Sequence, residues 1–455
     1  MKKSNIILFL IISITGCNNT TSESSGILQS SSSGSSIIEE SSSSEEISLG
    51  YKLLNTNCDL NKINGKQGLT PSLNKANILV IPIHFSNIKT PISKDYLENA
   101  FNSKTNENLE WLSVKNFFDE SSYGKLDMTF DILDVYNTNK TTSYYETLNN
   151  NYVDTSNTIL IEALNHFKDN IDFSKYDANN DGYIDGVIMI NDAKMDVNRT
   201  TDLWWAYTSY FNDDTITFND LKIKSNIFAT RDFFTYDNAI CDTHTIIHEI
   251  THMFGIDDYY DYNTSLGTSE GGLGWADLMD HDTKGDHNSF TKSLLNWASS
   301  PYLVTTNDSV TINLKPLISS GEYIILANDF NEENGLNQEY FILEYYYNTK
   351  ANDIDKLFNV NGIRMLHIKA DANKNGRFKY NNSTTMYKLI SQITTSFGST
   401  YLSDSAKAND NTLFTSGEKL NEAYYYNNTL LKYDFIINDL NNESANITIT
   451  KKYWK

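Results

Sequence analysis

The sequence predicts an α/β domain followed by a mainly β, sandwich-like domain. Strand-like and helix-like segments interleave up to about residue 300. Beyond Pro301 short stretches alternate apolar and polar residues, the pattern of half-buried strands. Ahead of both, residues 18 to 50 hold 14 Ser and five Glu with neither Lys nor Arg, so nothing there forms a core. The chain is therefore read as four pieces: 1–16, a flexible acidic tether at 17–50, an α/β domain at 51–300 and a β-rich domain at 301–455.

Each element has a local reason. Ile78-Leu79-Val80-Ile81-Pro82-Ile83 is a near-continuous apolar run, as in a strand buried on both faces. Trp111, Leu112, Val114, Phe117 and Phe118 give residues 111 to 122 a helical face, which Tyr123-Gly124 ends. Leu126 to Tyr136 alternates as a strand does. Residues 158 to 168 read as a helix, Val187-Ile188-Met189-Ile190 as a second buried strand, and 223 to 229 as a strand at the sheet edge. Residues 240 to 254 read as a helix with Ile240, Ile246, Ile247, Ile250, Met253 and Phe254 on its buried side. In the last third, Val310 to Leu314, Glu339 to Glu344, Ile363 to Ile368 and Ile447 to Thr450 read as strands. No internal repeat is visible.

The 455 residues carry 36 Lys+Arg against 58 Asp+Glu, a net charge of −22. That balance argues against binding duplex nucleic acid, which needs a basic face, and against docking on anionic lipid by charge alone. Five Pro and three Cys exclude proline-rich and disulfide-dense chains. At the N-terminus, Lys2 and Lys3 precede an apolar run from Ile6 to Ile12 that is too short to span a bilayer. A charged start, a short apolar run and small residues read as an export signal. Ile14-Thr15-Gly16-Cys17 resembles a bacterial lipobox, which implies that Cys17 is lipidated and becomes the mature N-terminus. The tether would then span roughly 30 Å as a coil and about 100 Å when extended. It would hold the folded body off the outer face of the cell membrane.

His248-Glu249-Ile250-Thr251-His252 is HExxH. Residues four apart share a helix face, so His248 and His252 can bind one metal ion, and neutral imidazoles suit Zn²⁺. Glu249, on the same side, can take a proton from water activated there. Gly255 permits a sharp turn. Asp258 follows, ten residues after His248, where the turn can return it to the metal; His281, His287 or Asp261 are the other residues that could complete the site.

The extended pattern His248-Glu249-x-x-His252-x-x-Gly255-x-x-Asp258 resembles the metzincin zinc peptidases. Asp at the third-ligand position, with Tyr259-Tyr260-Asp261 behind it, resembles the immune inhibitor A family of secreted bacterial metallopeptidases. The likeness extends over roughly residues 75 to 370. It is carried by Asn77 to Phe85, Val114 to Leu126, Trp204-Trp205, Glu339 to Tyr345 and Ile363 to Ile368. It implies a metzincin-like catalytic domain with His248, His252 and Asp258 as zinc ligands and Glu249 as general base. Gly274-Trp275-Ala276-Asp277-Leu278-Met279-Asp280 resembles the family's methionine turn, which implies that Met279 floors the metal. His281, two residues on, stands where some metzincins carry a tyrosine that stabilises the tetrahedral intermediate.

Two features stand apart from that centre. Asp177, Asn179, Asp181 and Asp185 around Gly182 form DxNxDGxxD, with alternating oxygen ligands and glycine at position six, as a Ca²⁺ loop needs. Ile188 occupies position twelve, so a helix–loop–helix hand is excluded. Asp371 to Gly376 is a weaker echo, read as a turn. Cys58 and Cys241 either pair or stay free thiols, and Cys58 could instead cap the metal.

The function expected is a surface-anchored zinc endopeptidase acting on extracellular proteins. A cell-surface adhesin with a relic zinc site and a zinc hydrolase acting on glycoconjugates are the alternatives. The intact Glu249 speaks against a relic, which is free to lose its base.

Overall fold

The computed structural model describes residues 49–453 apart from 149–150, 199, 235–240, 261–271, 282, 355, 371–387 and 395–406. The export segment, Cys17, nearly all of the tether, Ile240, Asp261 and the turn at Asp371 lie outside the described residues. Among the described residues no helix is long and apolar enough to cross a membrane.

The first half of the chain contributes β1 (Tyr51–Leu53), β2 (Asn74–His84), β3 (Leu126–Ile132), β4 (Tyr136–Asn137) and β5 (Val187–Asn191). It continues with β6 (Tyr207–Tyr210), β7 (Thr217–Phe218), β8 (Leu221–Lys222) and β9 (Ser225–Thr230). One sheet runs β3-β2-β5-β9-β6, with β4 beside β2. Its first four strands are parallel, while β6 runs antiparallel to β9. The apolar run read from the sequence is β2, and its alternate side chains enter two different cores. Ile78 and Val80 pack with Ile188, Ile190, Ile227 and the helix residues Ile246, Ile250 and Met253. Leu79, Ile81 and Ile83 pack with Met189, Phe228 and Ile159, Leu160 and Leu164 of the helix Tyr152–Phe167. A parallel sheet covered by helices on both faces explains why that strand carries no polar alternation.

One expectation is corrected here. The strand at 223 to 229 is β9, and it lies inside the sheet, between β5 and β6. The edge belongs to Tyr207–Tyr210. Four residues with one buried side chain leave a weak periodic signal, so the true edge is missed from sequence.

The second half supplies β10 (Tyr302–Val304), β11 (Ser309–Leu314), β12 (Ile324–Leu326), β13 (Glu339–Tyr346), β14 (Gly362–Lys369), β15 (Ile390–Ile393), β16 (Tyr433–Leu440) and β17 (Ala445–Lys451). A six-stranded sheet runs β1-β10-β12-β13-β14-β15, and a three-stranded sheet runs β11-β17-β16. Their facing residues, among them Phe341, Leu343, Ile363, Met365, Ile312, Phe435, Ile447 and Ile449, form one apolar core, as in a sandwich. The other face of the six-stranded sheet is largely covered as well. Ile325, Tyr340, Ile342, Leu366 and Ile368 join the large core that holds the helix His244–Met253. Residue 300 is therefore a change of architecture inside one compact unit, Ser48–Lys455. The short β1, from the start of the chain, pairs with β10 across that point.

Candidate metal centre

The helix read at 240 to 254 spans His244–Met253. Its later start has a local cause. Cys241 is held in a parallel bridge with Leu109, and its carbonyl accepts from Glu110 N. Asp242 then accepts from His244 N and from the His244 ring, which opens the first turn. Ile246, Ile247, Ile250 and Met253 bury one side of the helix against β2, β5 and β9. The other side places His248, Glu249 and His252 along a cleft.

Gly255 ends the helix at φ +97°, a left-handed conformation that L side chains rarely adopt. A Cβ there would also lie 2.5 Å from Asn64 Nδ2, whose amide donates to the Gly255 carbonyl. The turn sends the chain back so that Asp258 faces both histidines. His248 Nε2 lies 3.1 Å from His252 Nε2, and Asp258 Oδ1 lies 3.1 and 3.3 Å from the two nitrogens. Tetrahedral zinc with bonds of ~2.0–2.1 Å sets its ligands ~3.3 Å apart. The triangle fits that edge length, and the donors, two imidazoles and a carboxylate, suit zinc. Among the described residues this is the one group of His, Cys, Asp and Glu close enough to hold an ion.

The tautomers suit a metal. His248 Nδ1 lies 2.8 Å from Leu278 O, and His252 Nδ1 lies 2.6 Å from Ile256 O. A carbonyl only accepts, so each Nδ1 carries a proton, which leaves each Nε2 facing Asp258 and, in the neutral ring, able to bind a metal ion. Burial alone would raise the Asp258 carboxyl. The two imidazoles override it and hold Asp258 well below the usual carboxylate range. Burial raises the Glu249 carboxyl, with His252 and His248 pulling the other way.

The segment around Met279 supports the triangle through its backbone. Met279 is fully buried, and its carbonyl accepts from Tyr259 N at 2.7 Å, next to Asp258. Leu278 accepts from His248 as above. Thus two successive residues of the turn hold two corners of the triangle. His281 ends the short helix Leu278–His281, stacks on Trp275 with 3.7 Å between ring centroids, and lines the cleft. His287 does not reach the triangle. It lies buried beneath the helix, against Phe117 and Trp297, with Nε2 3.3 Å from Thr251 Oγ1.

The cleft encloses about 630 Å³. Beside the triangle it is lined by Trp205 and Tyr260, which carried part of the resemblance, and by Thr208, Tyr210 and Asp257, which the sequence reading did not single out. Thr208 Oγ1 meets Glu249, and Tyr210 OH donates to His252 O, so the edge strand β6 is bonded to the helix it flanks. The available signal was the run Tyr207-Thr208-Ser209-Tyr210-Phe211 ahead of the turn formers Asn212-Asp213-Asp214.

The acidic loop is a separate place. Asp181 N and Gly182 N donate to the Asp177 carboxylate, Tyr183 N donates to Asp181, and Asn77 N and Ala178 N donate to Asp185. Asn179 Oδ1 also accepts from Asp181 N. Burial pushes the Asp185 carboxyl up to about 7. Cys58 and Cys241 are both free thiols, raised to about 12 and about 11 by burial, and neither belongs to the metal group.

No protein-family model and no curated protein matches the chain.

Proposed function

We propose that this chain is a zinc-dependent endopeptidase of metzincin-like fold, related to the immune inhibitor A family. The observation that carries the reading is the triangle of His248, His252 and Asp258 at tetrahedral spacing, with Glu249 beside it in an open cleft. Bound zinc supplies Lewis acidity toward a scissile carbonyl and makes water a nucleophile at neutral pH.

The remaining work falls to side chains of the chain itself. His248, His252 and Asp258 would hold the ion at the cleft. Glu249 accepts the proton of the attacking water and returns it to the leaving amine. Among the described residues the antiparallel strand β6 ends the sheet order, and its Tyr207, Thr208 and Tyr210 line the cleft. An extended peptide can add to it as a further strand, which brings its carbonyls past Glu249. His281, at the cleft, is a candidate donor to the oxyanion.

Cys17 is proposed as the lipid anchor that keeps the enzyme at the outer face of the bacterial membrane, where its substrates are extracellular proteins. Labelled palmitate should enter the full-length protein and not Cys17→Ala. The enzymatic reading is tested with denatured casein or gelatin. Cleavage should stop with a chelator, return with zinc, and be absent in a folded Glu249→Ala protein that still binds zinc. Cleavage that survives Glu249→Ala would defeat the mechanism. A zinc-loaded protein that cuts no denatured protein would favour the glycoconjugate hydrolase instead.

A further inference from the structure

Glu344 and Arg364 stand directly opposite each other on β13 and β14, in the β-rich half of the chain. Both are almost fully buried, at 1% and 3% exposure. Arg364 Nε donates to Glu344 Oε1 at 2.5 Å, and Arg364 Nη1 donates to the Ala276 carbonyl at 2.7 Å. Glu344 Oε2 accepts from Ser289 N at 2.7 Å. The pair therefore grips both ends of residues 276 to 289, the segment that contains the methionine turn.

Inside that grip the bonds continue to the metal ligands. Asp277, which feels the Arg364 charge, accepts from Met279 N at 3.0 Å and from Asn288 Nδ2 at 2.8 Å. Leu278 O then takes the proton of His248 Nδ1, and Met279 O takes that of Tyr259 N beside Asp258. Between Arg364 and the nearest ligand there is a single short stretch of backbone, Ala276 to Leu278.

A buried ion pair is weak support for stability, because apolar residues of the same size often serve as well or better. Guanidinium offers something they lack, a planar fork that aims two donors in fixed directions. Here one donor takes the carboxylate and the other takes the turn.

We infer that Arg364 and Glu344 are positioning residues for the metal centre. In this inference the β-rich region is a working part of the active site and not an appended binding module. It rests on the zinc reading proposed above.

The test measures zinc dissociation constants by competition with a chromogenic chelator, on full-length variants shown to be folded by circular dichroism. Arg364→Met combined with Glu344→Gln removes both charges and keeps an acceptor for Ser289 N. Its dissociation constant should rise roughly ten- to a hundredfold, as for other groups that orient metal ligands. Arg364→Lys keeps the charge but loses the fork, and should fall between this double variant and wild type. Ile447→Ala, in the core between the two β sheets, serves as the control for general destabilisation. It should lower Tm and leave zinc affinity within twofold of wild type. A constant within twofold of wild type in the Arg364 variants, or equal weakening in Ile447→Ala, overturns the inference while the zinc reading stands. A wild-type protein that binds no zinc overturns both.

Discussion

Thr208 Oγ1 lies 2.9 Å from Glu249 Oε2 and 2.7 Å from the Glu249 main-chain oxygen. The hydroxyl's single proton is shared between these two acceptors and ties the edge strand to the proposed general base. A donor to the ionised carboxylate favours the charged form and opposes the effect of burial. Thr208→Val keeps the shape and removes the donor. Its kcat on a peptide substrate should fall about tenfold with zinc content unchanged, since a hydrogen bond to a charged group contributes about 1.5 kcal/mol. Unchanged kcat would remove Thr208 from the machinery.

Gly255 is required twice over, by its φ of +97° and by the space that Asn64 and Leu69 take. Gly255→Ala should cost more than ~1 kcal/mol, the size of the usual backbone effect, because the new methyl group also has no room. The turn also delivers Asp258, so the same variant should bind zinc more weakly. Denaturant unfolding and the chelator competition read the two effects separately.

The β-rich half should be acid-labile. Glu339 accepts from His367 Nε2 at 2.9 Å, Lys369 Nζ at 2.8 Å and Tyr426 N at 2.7 Å. Burial works to raise its carboxyl, and these donors override that and hold it down at about 2, against an ordinary 4.5. Burial depresses His367 below its ordinary 6.5. Both groups titrate lower in the folded state, so the unfolded chain binds more protons through this window. Their stability is complete above pH 6.5 and is lost as pH falls toward 2. Tm should drop across that range, and Glu339→Gln should flatten the part below pH 4.5. A wild-type Tm that is level from pH 6.5 to 3 contradicts this account.

The acidic loop makes a separate prediction. Amides at its fifth and sixth positions donate to Asp177, and Gly182 at position six has φ +85°, as a tight oxygen-lined loop needs. Millimolar calcium should raise the Tm of the zinc-loaded protein and should not do so for Asp177→Ala. No shift in either protein would leave the loop as a plain hydrogen-bonded turn.

The sequence by itself determined what depends on spacing along one element. A run such as Ile78 to Ile83 reads as a strand buried on both faces, and its alternate side chains went to the two cores as strand parity demands. His248, Glu249 and His252 lie on one turn of helix because four residues return to the same side. Gly255 and Asp258 were within reach for the same reason, since one turn of known geometry separates them from the helix. Only the tertiary structure decided which strand is the sheet edge, because an edge is defined by a missing neighbour and not by any residue it contains. It also decided that Thr208 meets Glu249, 41 positions away, and that Arg364 meets Ala276, 88 positions away. Those pairs carry no periodicity. They exist because the sheet and the β sandwich bury their faces in the same core as the helix His244–Met253, and burial then obliges each polar group there to find a partner.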